Sequence, residues 1–338
     1  MATSKMRRFE GDAAPGPAAG FWGVDDEHPA RITVQITEII IQGNYKRFGT
    51  DLIGVMDLKS FQLIVTNENT ARRYLTKLCW KNYRRFCSRC RSCDIYKIAD
   101  KRYRCRCCGY RFHDFTGRWI NTVHIPCTQW LWIIKLFEIE LSARRIAEQL
   151  GLSYPTVLKA VNTIRTTILA HASDGSELLC GEIEMDESYF GGKRKGPRGR
   201  GAANKVPVFG ILERNGVVKV ETLKDVTAKT LLDLTIKTVR RGSIVYTDKF
   251  RSYDSLMFCG YRHIKIDHTH YFASGKVYIN GVEGFWSFAK ERLIKFHGIS
   301  REKFSLYLKE MEFRYNNRGN DIFDLIAHYL CNFVPKRL

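Results

Sequence analysis

The chain has 338 residues, 44% of them hydrophobic and 12% aromatic, enough for two or three modules with buried cores; wholesale disorder is excluded. Lysine and arginine outnumber aspartate and glutamate by 55 to 35, and the formal charge of +20 points to a polyanionic partner, nucleic acid before an anionic membrane surface. The eleven cysteines follow no secretory signal, and the longest apolar run, Trp130 to Phe137, carries Lys135 and is too short to span a bilayer, so metal ligation in a reducing compartment is expected.

Residues 1–55 differ in character from the rest of the chain. Ala13 to Gly20 is turn-rich and of low complexity, Ile32 to Gln42 reads as one strand, and no function attaches to this extension. Met56 opens the segment that reads as a structured start. From Glu68 to Trp80, Ala71, Tyr74, Leu75 and Leu78 share one helical face.

Cys87-Ser-Arg-Cys90 and Cys105-Arg-Cys-Cys108 are two Cys-x-x-Cys pairs with 14 residues between them. Two such knuckles supply the four thiolates of a structural Zn²⁺, leaving no open position for chemistry. Cys93 and Cys107 are spare and Cys90-x-x-Cys93 competes, but Cys87, Cys90, Cys105 and Cys108 leave a hairpin-length connection and are preferred. Tyr96, Tyr103, Tyr110 and Phe112 are expected to pack a small sheet around the ion. Residues 84–118 carry eleven Lys/Arg against three Asp, which suits contact with phosphates.

Residues 128–170 read as helix in at least three pieces, and Leu141 to Val161 has the spacing of a helix-turn-helix. Ile146, Ala147 and Leu150 bury the first helix, Gly151 accepts the turn, Ser153 caps the second helix, and Val157, Leu158 and Val161 bury it. Its exposed Tyr154, Thr156 and Lys159 are predicted to enter the major groove. Three-helix folds without DNA contact share this pattern; beside the cysteine pairs and the charge, DNA binding is the stronger reading.

Glu182 to Phe190 alternates as a strand with Asp186 near its end. Lys205 to Leu212 and Gly216 to Glu221 follow as strands joined by an Asn215-Gly216 hairpin, then a helix from Ala228 to Val239. Ser243 to Asp248 is a short buried strand with Asp248 at its tip, Val282 to Lys290 begins a helix offering Glu283, and helix continues to Phe333. This is the element order of an RNase H-like fold. Two strand-borne aspartates and a helical glutamate can converge on divalent ions about 4 Å apart that activate a nucleophile and steady a leaving oxygen, with Mg²⁺ or Mn²⁺ suited to the oxygen donors. Singly each carboxylate reads as a cap, and Glu187, Asp254 and Asp267 compete; the ordered set outweighs that reading. Lys193, Arg194, Lys195, Arg198 and Arg200 form a basic run after Asp186, a solvated loop in general and here a candidate grip on phosphates.

From about Leu58 to Asn317 the chain resembles bacterial insertion-sequence transposases of the ISXO-like DDE type, relatives of the eukaryotic Merlin transposons. The resemblance is carried by Phe61, Thr70, Tyr74 and Trp80, by Cys87, Cys90, Cys105, Cys108 and Phe112, and by the helix-turn-helix. It continues in Glu184 to Gly196, Tyr246-Thr-Asp248, Asn280 to Lys290 and Phe313 to Asn317. It implies nicking at element ends and strand transfer into target DNA. The family's third metal position is Glu or Asn with a downstream Lys; here Glu283 is preferred over Asn280, as the harder ligand with Lys290 two turns later on its face, where it would contact phosphate. Ser88 stands where a proline is common, and the extension matches nothing in the family.

The expected fold is multidomain: an unassigned extension (1–55), an N-terminal helix with a zinc ribbon (56–120), a helix-turn-helix region (121–176), and an α/β RNase H-like catalytic domain with C-terminal helices (177–338). The expected activity is end binding with metal-dependent cleavage and strand transfer, the partners being double-stranded DNA (terminal inverted repeats and target) and further copies of the chain in a synaptic complex, with no membrane. A catalytically silent or domesticated DNA-binding derivative is the alternative, and a nuclease or resolvase without strand transfer a third reading. The compartment is the nucleoid-bearing cytoplasm for a bacterial element and the nucleus for a eukaryotic one.

Overall fold

The computed structural model describes residues 56–172, 177–191, 205–248, 259–266, 279–296 and 298–335. The extension, the basic run Lys193 to Arg200, Asp254 and Asp267 lie outside the described residues. The first elements are set by caps. Asp57 accepts the Ser60 amide at 2.7 Å to start α1 (Leu58–Val65), and Asn67 accepts that of Thr70 at 2.9 Å to start α2 (Glu68–Cys79). Ala71 and Leu75 are buried on α2, with Tyr74 and Leu78 half-buried beside them.

A small antiparallel sheet comes next, β1 (Ile95–Ile98), β2 (Arg102–Cys105) and β3 (Arg111–His113). Tyr103, Tyr110 and Phe112 pack together there, Phe112 fully buried, but Tyr96 is 38% exposed and lies under Arg106. The expectation that Tyr96 packs inside is thus corrected: it sits on the outward side of an edge strand.

After a 3₁₀ turn (Trp119–Thr122) come α3 (Cys127–Glu138), α4 (Ala143–Leu150) and α5 (Tyr154–Ala172). Ser142 caps α4 through the Arg145 amide at 3.4 Å, and Gly151 ends it at φ +61°, a left-handed conformation that a Cβ would strain. Ile146 and Ala147 of α4 and Val157 and Val161 of α5 are buried, whereas Leu158, expected inside, is half-exposed on the rim of a groove.

The second sheet has β4 (Glu182–Phe190), β5 (Val206–Glu213), β6 (Val218–Thr222), β7 (Ile244–Asp248) and β8 (Arg262–Ile266) in the order β6-β5-β4-β7-β8. The meander β4-β5-β6 is antiparallel and β7 and β8 extend it in parallel from β4, the RNase H-like arrangement. Asn215 (φ +62°) turns the β5–β6 hairpin, with Gly216 in the turn rather than in the strand. One face packs Ile183, Met185, Phe209 and Ile211 against α6 (Ala228–Thr238). The other packs Val208, Leu212, Val220 and Tyr246 against α7 (Asn280–Leu293) and α8 (Phe304–Asn316).

The C-terminal segment, expected as helix to Phe333, is three helices. Gly298 at φ +78° follows α7, and Asp321 starts α9 (Ile322–Cys331) by accepting the Asp324 amide at 3.0 Å. α9 buries Phe323, Ile326 and Leu330 with α2, α3 and the small sheet, Phe61 and Phe323 meeting at 5.5 Å. Buried Arg118 closes this core: its guanidinium donates to the carbonyls of Cys331 and Cys79, the latter at 2.6 Å. Among the described residues no helix is long and apolar enough to cross a membrane.

Candidate active site

Strand alternation decides which carboxylates of β4 meet α7. Ile183 and Met185 enter the core under α6, so Glu184 and Asp186 project to the opposite face. Glu187, the competing carboxylate next in sequence, alternates away from Asp186 on the strand. β7 pairs with β4 only from Glu182 to Glu184, the last pair being Glu184 with Tyr246. Two residues farther along each strand, the same register would bring Asp186 beside Asp248, whose charge Asp186 feels. Asp186, expected near its strand's end, lies mid-strand because β5 continues to supply ladder partners to Phe190; it sits just past the point where the pairing of β4 with β7 stops.

Glu283 lies in the first turn of α7, Asn280 is its first residue, and Lys290 follows with Nζ 5.8 Å from the Phe190 ring centroid; all three side chains are exposed. Burial pushes the Asp186 carboxyl up to about 6; the Glu187 amide and the Trp286 indole N–H oppose that rise, and the negative charges of Asp248 and Glu283 add to it. The three carboxylates thus share one field, although among the described residues only the cysteine set has its ligand atoms all within 4.8 Å. An acid that resists ionisation beside two further carboxylates is a donor set that a hard divalent cation relieves.

Two contacts hold α7 to β4. Trp286 Nε1 donates to Asp186 Oδ2 at 3.1 Å, and the Val282 amide donates to Glu184 Oε2 at 3.0 Å. Arg214 Nε donates to Glu184 Oε1 at 2.9 Å and its guanidinium lies 3.9 Å from the Tyr246 ring centroid. Sequence reasoning gave no role to Trp286, Glu184 or Arg214; Trp286 was visible only as part of the motif around Glu283.

The sulfurs of Cys87, Cys90, Cys105 and Cys108 lie within 4.8 Å of one another, Cys87 to Cys108 at 3.6 Å and Cys90 to Cys105 at 3.5 Å. A tetrahedron with Zn–S of about 2.3 Å has edges of about 3.8 Å, so the set fits Zn²⁺. Cys93 and Cys107 point to the surface, outside the group. Burial disfavours the Cys87 thiolate, yet the Cys90 and Arg89 amides outweigh it and lower Cys87 to about 7.

Tyr154 opens α5, 44% exposed, with the Arg144 guanidinium 5.8 Å from its ring centroid. Thr156 is half-buried and its hydroxyl meets that of Ser153 at 2.8 Å. Opposite the buried Val157, Val161 and Ile164, the outward face of α5 is Pro155, Lys159, Asn162 and Thr166, which with Trp119 and Thr122 line an open groove of about 380 Å³. Lys159 is central to that face, and Tyr154 and Thr156 flank it.

Residues 178–316 match the ISXO2-like transposase domain and residues 66–111 the transposase zinc-ribbon domain. An uncharacterized transposase-like protein of Haemophilus influenzae is 50% identical over 93 residues, 28% of this chain and 76% of that protein. An uncharacterized protein in transposable element ISH50 of Halobacterium salinarum is 26% identical over 285 residues, 77% of this chain and 93% of that protein. Among solved structures, the Mos1 strand transfer complex is similar over 58% of this chain and 73% of that one, at 15% identity and a TM-score of 0.27.

Proposed function

The chain belongs to the family of ISXO2-like transposases, and we propose that it binds the ends of its element and catalyses their cleavage and joining to target DNA. The reading rests on one observation above others: half-buried Asp186 accepts from Trp286 of the helix that carries Glu283 and is pushed up in pKa first by burial and then by the charges of Asp248 and Glu283, a set of oxygen donors that suits divalent cations. Asp186, Asp248 and Glu283 would hold Mg²⁺ or Mn²⁺, and Cys87, Cys90, Cys105 and Cys108 a structural Zn²⁺. When bound, the catalytic ions polarise the scissile phosphate and steady the leaving oxygen.

The chain's own groups do the rest. Lys290, exposed beside Phe190, offers a cation to a phosphate flanking the cut. Lys159, with Tyr154 and Thr156 at its sides, faces duplex DNA from α5, and the arginine-rich small sheet adds phosphate contacts. Lys193, Arg194, Lys195, Arg198 and Arg200 follow Asp186 in sequence and would add charge for the same strand. In this division residues 56–120 and 121–176 bind DNA and 177–338 carry the chemistry, with two copies pairing two ends.

End cleavage of a duplex carrying the terminal repeats, with Mg²⁺ or Mn²⁺, tests this. Asp186→Asn and Glu283→Gln each lose several kcal/mol of transition-state stabilisation, about 100-fold or more in rate, while Asn280→Ala loses far less. Wild-type rates in both carboxylate variants would sink the proposal, and a wild type that binds ends but never cuts would leave the silent DNA-binding reading standing.

A further inference from the structure

Resting on the carboxylate reading above, we propose that Trp286 is a positioning residue of the site: its indole, admitted by the missing side chain of Gly210, fixes the Asp186 carboxylate and, with Glu184, sets the register of the helix that presents Glu283 and Lys290. Residues two apart on a strand are about 6.6 Å apart, and residues four apart on a helix about 6.0 Å. Glu184 and Asp186 on β4 therefore match Val282 and Trp286 on α7 as two rungs of one ladder, at 3.0 and 3.1 Å.

Each rung needs a glycine. Gly210 is the cross-strand partner of Asp186, and a Cβ there would lie 2.5 Å from Cζ2 and 2.7 Å from Cη2 of Trp286. A Cβ on Gly281 would lie 2.9 Å from Glu184 Oε2. Both oxygens of buried Glu184 are engaged, one by Val282 and one by Arg214, so this fourth carboxylate holds the helix. Trp286 touches Asp186 with its N–H and Phe190 with its ring, centroids 5.9 Å apart, and Phe190 in turn lies against Lys290. Asp186, Glu283 and Lys290 are thus all referred to one indole.

The test measures Mn²⁺ binding to the full zinc-loaded chain by the resonance of free Mn²⁺ at fixed pH, with melting curves alongside. The variants are Asp186→Asn, Trp286→Phe, the pair Trp286→Phe with Gly210→Ala, and wild type carrying benzothienylalanine at 286, an isostere in which sulfur replaces the N–H. Loss of a group that orients a ligand typically costs 10- to 100-fold in metal affinity, and the isostere and Trp286→Phe are expected in that range. The pair is expected to melt no lower than Trp286→Phe, since the smaller ring leaves room for the alanine methyl, yet to bind Mn²⁺ as weakly. Wild-type affinity in the isostere, with Asp186→Asn reduced, overturns the positioning role. Wild-type affinity in Asp186→Asn overturns instead the carboxylate reading beneath it.

Discussion

Asp186 occupies a position where ionisation is resisted, and that has a measurable cost. Its carboxyl stands at about 6 in the fold against 3.8 in the open chain, a difference worth on the order of 2–3 kcal/mol. Between those values the folded chain keeps a proton that the unfolded chain has released. Stability without divalent ions therefore falls as pH rises from about 4 to about 6 and stays level above. Asp186→Asn removes the charge, so it is expected to melt several degrees above wild type at pH 7.5, with most of the gain gone near pH 4, while losing end cleavage. Saturating Mn²⁺ should narrow the difference at pH 7.5 by stabilising the wild type more than the variant. Thermal scans of both proteins at the two pH values, with and without Mn²⁺, decide the matter; a variant no more stable at pH 7.5 would show that the burial of Asp186 carries no penalty.

At the scale of elements, the helix proposed to face DNA is bolted to the proposed catalytic half by a buried ion triad. Glu310 of α8 accepts Arg165 Nε of α5 at 2.7 Å and Arg314 Nε at 2.9 Å, all three side chains being buried. Arg165 also stacks over Tyr307, and Arg314 donates to the Phe137 carbonyl at 2.6 Å. Burial alone would raise the Glu310 carboxyl, but the two guanidinium charges prevail and hold it below the ordinary range. Its stabilising contribution is complete above the open-chain value of 4.5 and fades as pH falls through the lower folded value. Removing one partner strands the other charges: Glu310→Ala is expected to destabilise by about 3–5 kcal/mol in urea unfolding at pH 7. A loss under about 1 kcal/mol would mean that the triad does not couple α5 to α8. None of this was legible in sequence, because Arg165 and Glu310 are 145 residues apart and nothing local marks either as buried.

Across the whole molecule, legibility followed locality. The paired cysteines, the turn at Gly151 and the strands carrying Asp186 and Asp248 are each written in a few adjacent residues. β8 was missed because its alternation is only two apolar residues long, Ile264 and Ile266 set among Arg262, His263 and Lys265. The partner of Trp286 was hidden because it depends on an absent side chain at Gly210, and α9 because amphipathic periodicity does not say which core a helix will join. That last point alters what zinc should hold together. Cys87 and Cys105 share a core with Leu75, Trp130 and, from the far end of the chain, Phe323 and Leu330, and Arg118 spans Cys79 and Cys331. Zinc removal is therefore not expected to melt residues 84–118 alone. Amide exchange after chelation should show lost protection in α2 and α9 as well as in the small sheet, while β4, β5 and β7, packed on α6 and α7, keep theirs. End binding should fall in step with α9 protection. If α9 exchanges at the same rate before and after verified zinc loss, the small sheet is a separable module and Arg118 is not the joint that ties it to the C-terminus.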